Sequence, residues 1–293
     1  MYGAPLQLLG QGTGGCVHIH RVASIAPAMY VAVKTHSFGT NTPAATQWDH
    51  MLAEAHSALR LQHANIVRTF EFVHEPAAAS GDAVGTFYSV MEYCSTDLFE
   101  LVHSGELTRP TINSIFVQLV HAVHHLHTAH GTSHRDLKLD NLCYSRADGR
   151  VKIIDFGCAR TIAAPLHAAS TTGVCGSDPY LPPEVLDTPQ LPYNPFHLDV
   201  WSVAIVFLAM VSGHFPWECA RPSDPNFAVY LKHRGLLINH WLKPENGDGD
   251  VSRLIAAMLA VEPERRMSIH DVVAHPAFQQ LSAATPIPPV YYN

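Results

Sequence analysis

The stretch GTSHRDLKLDN, Gly131–Asn141, places His134, Arg135, Asp136, Lys138, Asp140 and Asn141 within eight positions. Only 15% of the chain is charged, against about a quarter of an average domain, so this density marks a site of chemistry rather than a random surface loop. The flanks read as scaffold. Before it, IFVQLVHAVHHLHTAH carries Phe116, Leu119, Val120, Val123, Leu126 and His127 on one helical face. After it, ADG reads as a hairpin turn leading into the strand-like RVKIIDFG.

Working outward, residues 6–38 carry strand signals in LQLLGQG, CVHI and YVAVK. The spacing of Met51, Leu52, Ala55 and Leu59 predicts a helix over Trp48–Leu61, and IVRTFEFV and TFYSVMEYC predict two more strands across PAAASGDAVG. After Cys94 the pattern turns helical, with a proline-dotted loop over 161–196, an apolar helix near 200–212 and another helix at VSRLIAAML. These patterns imply an α+β fold of two parts: a small strand-rich N-terminal part with one main helix, and a larger, mainly helical C-terminal part, joined near Tyr93–Ser95. WSVAIVFLAMV, Trp201–Val211, is too short to span a bilayer and reads as a buried core helix.

The formal charge of −7, from 25 acids against 18 bases, argues against wholesale binding of nucleic acid or anionic membrane and leaves basic peptides as easier partners. Cys16, Cys94, Cys143, Cys158, Cys175 and Cys219 lack CxxC or zinc spacing, so reduced thiols are expected rather than a disulfide framework or a structural metal. MYGAPLQLLGQG has no basic n-region before an apolar core. A cytoplasmic location follows as the default expectation, with the nucleus open.

Gly10, Gly12 and Gly15 in LGQGTGGCVHI have GxGxxG spacing, which several folds use. A dinucleotide-binding loop would open a helix after its last glycine. Here strands follow, which fits a glycine-rich hairpin whose backbone N–H groups can approach phosphate oxygens. Lys34 ends YVAVK, and Glu54 stands twenty positions later in the expected helix.

With HRDLKLDN and the DFG of Asp155 added, the chain resembles a eukaryotic protein kinase of the Ser/Thr type over about residues 5–279. The resemblance implies a bilobal protein-kinase-like fold, with an N-lobe of about 5–92, a hinge of about 92–95, a C-lobe of about 96–279, and a short proline-containing tail over 280–293. It further implies ATP and Mg2+ as cofactors and a protein substrate bearing a Ser or Thr acceptor. Lys34 would bind the α and β phosphates and be held by Glu54; Asp136 would accept or orient the hydroxyl proton; Asn141 and Asp155 would hold magnesium. Lys138, two positions after Asp136, resembles Ser/Thr kinases, where it neutralises the transferring phosphoryl group.

By family position Gly10, Gly12 and Gly15 would cover the phosphates, and adenine would lie between the lobes against Val17, Ala32 and Cys143. Met91 would be the gatekeeper and Glu92–Cys94 the hinge; Asp97 is implied either as a ribose ligand or, with Asp140, as a reader of basic residues upstream of the phosphoacceptor. DPYLPPE resembles the APE segment, so Glu184 should pair with Arg266, and Asp199 of DVWS should support the catalytic-loop backbone. CGSDPYLPPE and HRDLKLDN also resemble the fungal Npr/Hal group of Ser/Thr kinases.

Two departures bear on regulation. Arg135 before Asp136 marks kinases that often need a phosphate on the activation loop, with His50, Arg135 and Arg160 expected to line its pocket. Yet Gly173 occupies the usual phosphothreonine position, leaving Thr172, Thr171 or Ser170 for an upstream kinase, or no phosphate at all. Because Met1 lies nine residues before Gly10, control is expected from this loop, a separate subunit or parts of a longer protein. Ser177 is expected to bond the catalytic aspartate and lysine.

His121, His124, His125, His127 and His130 share one expected helix, and solvated histidines are a better expectation there than a metal site. Cys16, Cys158 and Cys175 raise a redox switch as a further reading. Competing functions are a pseudokinase scaffold, against which Lys34, Asp136 and Asp155 stand, and a small-molecule kinase, against which the PPE segment stands.

Overall fold

The computed structural model describes residues 2–12, 15–22, 29–37, 43–76, 85–163, 165–242 and 249–287. They divide into two compact units, Met1–Ser95 and Thr96–Asn293. The first holds the five-stranded sheet with one helix and the second most of the helices, the α+β organisation that the resemblance implies.

In the first unit β1 (Gln7–Gly12), β2 (Gly15–Val22), β3 (Met29–His36), β4 (Thr69–Glu75) and β5 (Thr86–Glu92) form an antiparallel sheet in the order β1-β2-β3-β5-β4. Side chains alternate between its faces. Val31 and Val33 of β3 pack with Val22 and Val90 on one face, edged by Tyr2, Met29, Phe70 and Tyr88. Lys34 pairs across the ladder with Ser89 and so shares the other face with it. On the face of β5 that carries Phe87 and Ser89, α1 (Ala44–Arg60) sets the Trp48 ring edge-on to Phe87 at 4.8 Å. β3 is buried at four successive positions, Val31 to Lys34, because both of its neighbours and both of its faces are occupied.

The second unit opens with β6 (Thr96–Asp97) and α2 (Leu98–His103), then the long α3 (Arg109–His130), which Thr108 caps and Gly131 terminates. β7 (Thr132–Ser133) follows and later pairs with β10 (Arg160–Thr161), while β8 (Leu142–Ser145) pairs with β6 on one side and β9 (Arg150–Ile153) on the other. The remaining helices are α4 (Pro183–Asp187), α5 (Pro195–Ser212), α6 (Pro225–Leu242), α7 (Gly249–Met258), α8 (Ile269–Ala274) and α9 (Pro276–Ala284).

The short elements β6, β7, β8, β10, α2, α4, α8 and α9 were not expected from the sequence, and three others differ from the expectation. α5 begins at Pro195, inside the expected loop, because Asn194 Oδ1 accepts the Phe196 N–H and Pro195 supplies a preset first turn. α6 escaped the periodicity because the helix kinks at His233 (φ −137°, ψ 44°) two residues before Gly235. The strand expected to run through DFG stops at Ile153, since Asp155 turns the chain at φ +57° into a 3₁₀ turn over Phe156–Cys158. α5 is long and apolar enough to cross a membrane by length and composition. Its residues Val200 to Ala209 are, however, buried without interruption, and it packs against α3, α6, α7 and α8.

Arg266 pins the end of this unit to its middle. Its Nη1 and Nη2 donate to Glu184 Oε1 (2.6 Å) and Oε2 (3.0 Å), Nε donates to Ala260 O (3.0 Å) and Nη1 also to His197 O (3.1 Å), with the guanidinium 4.8 Å above the Trp201 ring. The pairing of Glu184 with Arg266 is thus present as expected. A buried cation is tolerated only with such saturation, and the planar fork that achieves it belongs to arginine. Arg266→Lys keeps the charge and loses the two-pronged bond; it should cost about 2 kcal/mol, read as a lower urea midpoint with unchanged slope.

Candidate active site

Asp199, wholly buried near the start of α5, organises the stretch that opened the sequence reading. Its Oδ2 accepts the His134 N–H (2.8 Å), the Ser133 hydroxyl (2.8 Å) and His127 Nε2 (2.8 Å); its Oδ1 accepts the Arg135 N–H (2.8 Å). Burial pushes this carboxyl up, but the hydrogen bond and charge of His127 with the other donors outweigh it, and the net shift is downward. Successive N–H groups of residues 134 and 135 therefore point at one carboxylate, and Arg135 takes φ +67°, a region costly to a non-glycine residue.

His134 fastens the next layer. Ile154 O is a carbonyl 3.0 Å from Nε2, so Nε2 carries the proton, and Nδ1 accepts the Asp136 N–H at 3.3 Å. Tyr180 OH accepts the Leu139 N–H at 3.1 Å. With its backbone held on three sides, the loop presents Asp136, Lys138 and Asn141 together. Asn141 Nδ2 donates to Asp136 Oδ2 and to Asp136 O, both at 2.9 Å; Lys138 Nζ lies 3.1 Å from Asp136 Oδ2 and donates to Ser177 Oγ at 3.1 Å. The expected bond of Ser177 to the lysine is therefore present.

Asn141 and Asp155 are brought close through the backbone: Asn141 O accepts the Ile154 N–H at 3.0 Å where β8 and β9 meet. Asp155 Oδ1 accepts the Gly157 N–H at 3.3 Å. Since both Nδ2 bonds of Asn141 go to Asp136, the amide oxygen is the atom it offers to a cation. An amide oxygen and a carboxylate suit a hard ion such as Mg2+. Asp97 lies beside Cys143 on paired strands, and its Oδ1 caps α2 by accepting the Glu100 N–H at 2.8 Å. Asp140 is exposed.

In the first unit, Gly10, Val17 and Lys34 sit side by side across β1, β2 and β3, and Ala32 pairs with Met91. Gly12 pairs with Gly15 at the hairpin mouth. Gly15, at φ +129°, admits no side chain, since a Cβ there would fall 1.8 Å from Thr35 O. At Gly10 a Cβ would meet nothing within 4 Å, so the protein's own packing does not demand glycine there. Lys34 is buried to 9% exposure on β3. Glu54 on α1 lies 3.9 Å from His36 Nδ1. Glu92 Oε2 accepts the Arg68 N–H at 3.4 Å, and Cys94 and Cys16 are free thiols.

Two expectations are corrected. Cys158 and Cys175 are not reduced thiols but a disulfide, Cα to Cα 6.1 Å. Spacing could not reveal it, because one arginine, Arg135, gathers the carbonyls of Cys158 and Gly173 and so brings the two cysteines together. The histidines of α3 are not a uniformly solvated set either. His127 is buried on Asp199, His121 abuts Phe278 at 5.4 Å, and His125 and His130 meet at 3.2 Å. The side chain of His50 lies outside the described residues. Arg160 is exposed on β10. Sequence reasoning missed Tyr193, whose hydroxyl meets Arg135; the sole signal was an isolated aromatic in a proline-rich stretch.

The sequence matches the family described as "Protein kinase domain" over residues 4–278. It is 35% identical over 293 residues to "Probable serine/threonine-protein kinase RTK1" of Saccharomyces cerevisiae, covering 93% of this chain and 44% of that protein. It is 36% identical over 231 residues to the nitrogen permease reactivator protein of the same yeast, 77% of this chain and 27% of the relative. To the yeast serine/threonine-protein kinase HAL4/SAT4 it is 32% identical over 243 residues, 80% of this chain and 38% of the relative. The chain thus spans less than half the length of each of these proteins. The Npr and Hal kinases are among its relatives, as the sequence suggested.

Asp199→Asn turns an acceptor oxygen into an NH₂ facing N–H groups, and about 3 kcal/mol of stability at pH 7 should be lost. The sign in pH follows from the lowered folded value. The carboxylate's contribution is complete above the unfolded value of about 3.9 and disappears as pH falls through the lower folded value. Urea unfolding should therefore separate parent and variant widely at pH 7 and much less at pH 2.5.

Proposed function

Because this chain belongs to the protein kinase family, we propose that it is a catalytically active serine/threonine kinase, with its domain over about residues 5–279. The observation that supports this reading best is the convergence of Asn141, Asp136, Lys138 and Ser177, each within 3.1 Å of the next. A scaffold that transfers nothing has no need of that arrangement.

Asp136 has the part of the base. Its Oδ2, oriented by Asn141 Nδ2, takes the proton of a Ser or Thr hydroxyl as that oxygen attacks. Lys138 carries a positive charge on the same side of Asp136 and balances charge building on the transferred group. MgATP, when bound, supplies the γ-phosphoryl. Asn141 and Asp155 would hold the metal, and their oxygen donors suit it; Lys34, with Glu54 and the glycines at 10, 12 and 15, would hold the phosphates. Val17, Ala32, Met91, Glu92, Cys94 and Cys143 would receive the base by family position. Fixing these groups in advance is most of what phosphoryl transfer requires of a protein.

The substrate class follows from charge. Asp97 and Asp140, in a chain of net charge −7, favour protein substrates with Arg or Lys at the third or second residue before the acceptor. A positional peptide library should give about tenfold higher kcat/KM for such peptides than for their alanine counterparts; equal rates would remove this preference while leaving the kinase reading intact.

With MgATP and matched peptide, turnover of about 1 to 100 per second is expected. Asp136→Asn should lower kcat about 10²- to 10⁴-fold, and Lys34→Met should abolish transfer. Tight MgATP binding with no transfer by the parent to any Ser/Thr peptide would instead assign the chain a scaffolding role.

A further inference from the structure

Arg135 is the residue expected to receive an activation-loop phosphate, yet its guanidinium is already engaged. Nε and Nη2 donate to Tyr193 OH at 3.1 and 2.9 Å, Nη2 donates to Gly173 O at 2.9 Å, and Nη1 to Cys158 O at 3.3 Å. Four of the five N–H donations open to an arginine are thereby taken, and Arg135 is 4% exposed. Tyr193 OH in turn donates to Gly173 O at 3.0 Å, and its backbone exchanges two hydrogen bonds with Thr171, 3.0 and 2.9 Å. Tyr193 itself is buried.

We propose that Tyr193 is a positioning residue that replaces the activation-loop phosphate: its hydroxyl joins Arg135 to Gly173 and so seats residues 171–177 on the catalytic loop in the unphosphorylated chain. The chemistry of the exchange is direct. A phosphate would offer oxygens to Arg135; here one phenol oxygen accepts two of its N–H groups and donates its own O–H to the loop carbonyl. The seat lies against the reacting residues. Gly176, at φ +120°, is pressed so near Arg135 that a Cβ would fall 2.9 Å from Arg135 O and 3.6 Å from Asp136 Oδ1, and the next residue, Ser177, bonds Lys138. Holding Gly173 therefore holds the shelf on which a peptide hydroxyl must meet Asp136. The Cys158–Cys175 bond spans the same segment and reinforces it. Ser170 and Thr172 are exposed, and Thr171 engages the clamp through its backbone.

The inference rests on the kinase reading, and its test is built to fail separately from it. Parent and Tyr193→Phe proteins are treated with phosphatase, shown by mass spectrometry to be bare at residues 170–177, and assayed in a dithiol reductant so that the disulfide does not mask the loss. Hydrogen–deuterium exchange over 170–177 is followed alongside peptide and MgATP kinetics. The bare parent should keep the kcat/KM of the untreated enzyme within about twofold. Tyr193→Phe should exchange faster across 170–177 and show about tenfold higher KM for peptide, with MgATP affinity unchanged. Loss of activity on dephosphorylation of the parent, or identical exchange and peptide KM in the two proteins, would overturn the proposal. Should the parent prove unable to transfer phosphate at all, the kinase reading falls and the exchange comparison alone still decides the clamp.

Discussion

The second unit depends on a single carboxylate. Asp199 is buried with no access to water, a situation that would ordinarily neutralise it or unfold the chain around it. It survives because four donors converge on two oxygens: two backbone N–H groups, a serine hydroxyl and an imidazole. Those donors come from α3, from β7 and from the turn after it, so the charge can be satisfied only when all three are in place. The left-handed conformation of Arg135 is sustained by the same convergence. Desolvation and hydrogen bonding oppose each other here, and hydrogen bonding with the charge of His127 prevails, holding the Asp199 carboxyl below the usual carboxylate range.

A second economy runs through two of the buried arginines. The chain has only 18 Lys and Arg residues against 25 acids, yet it commits Arg135 and Arg266 to the interior. Each joins segments far apart in sequence by binding carbonyl oxygens, which carry no charge of their own. Arg266 adds a two-pronged carboxylate and an aromatic face. Arg135 uses a phenol where others would use an anion. Both depend on the flat, five-donor head of arginine, and lysine could reproduce neither.

Much of the site was legible in the sequence because its key residues are encoded by local spacing. HRDLKLDN, DFG and the glycine hairpin are short patterns that resemble the kinase family's, and the Glu184 to Arg266 pairing, 82 residues apart, was expected from that resemblance alone. Strands β1 to β5 and β9 and helices α1, α3, α5 and α7 were legible by pattern, whereas the short β6, β7, β8 and β10 were not. What escaped depends on convergence in space. Tyr193 meets Arg135 across 58 residues of sequence and His127 meets Asp199 across 72, and no periodicity announces either. The cysteine pair was misread because its partners are drawn together by an arginine rather than by any spacing of their own. α6 was lost to a kink and a glycine, and the start of α5 to prolines that looked like loop and were in fact a first turn.

Helix α5 has a consequence for how the chain is made. It is apolar on every side because neighbours cover every side. Of those neighbours α3, β7 and the turn over Asp178–Tyr180 precede it, while α6, α7 and α8 are still to be synthesised when Ser212 is added. At about 5 to 20 residues per second, several seconds pass before Ala274 completes α8. During that interval a segment with the length and composition of a membrane span lacks the part of its cover that α6, α7 and α8 supply, while Asp199 inside it already has all four of its donors. The nascent chain can therefore form the Asp199 anchor of the catalytic loop before the side of the helix that α6, α7 and α8 cover is protected, and it is that uncovered side which exposes the growing chain to aggregation.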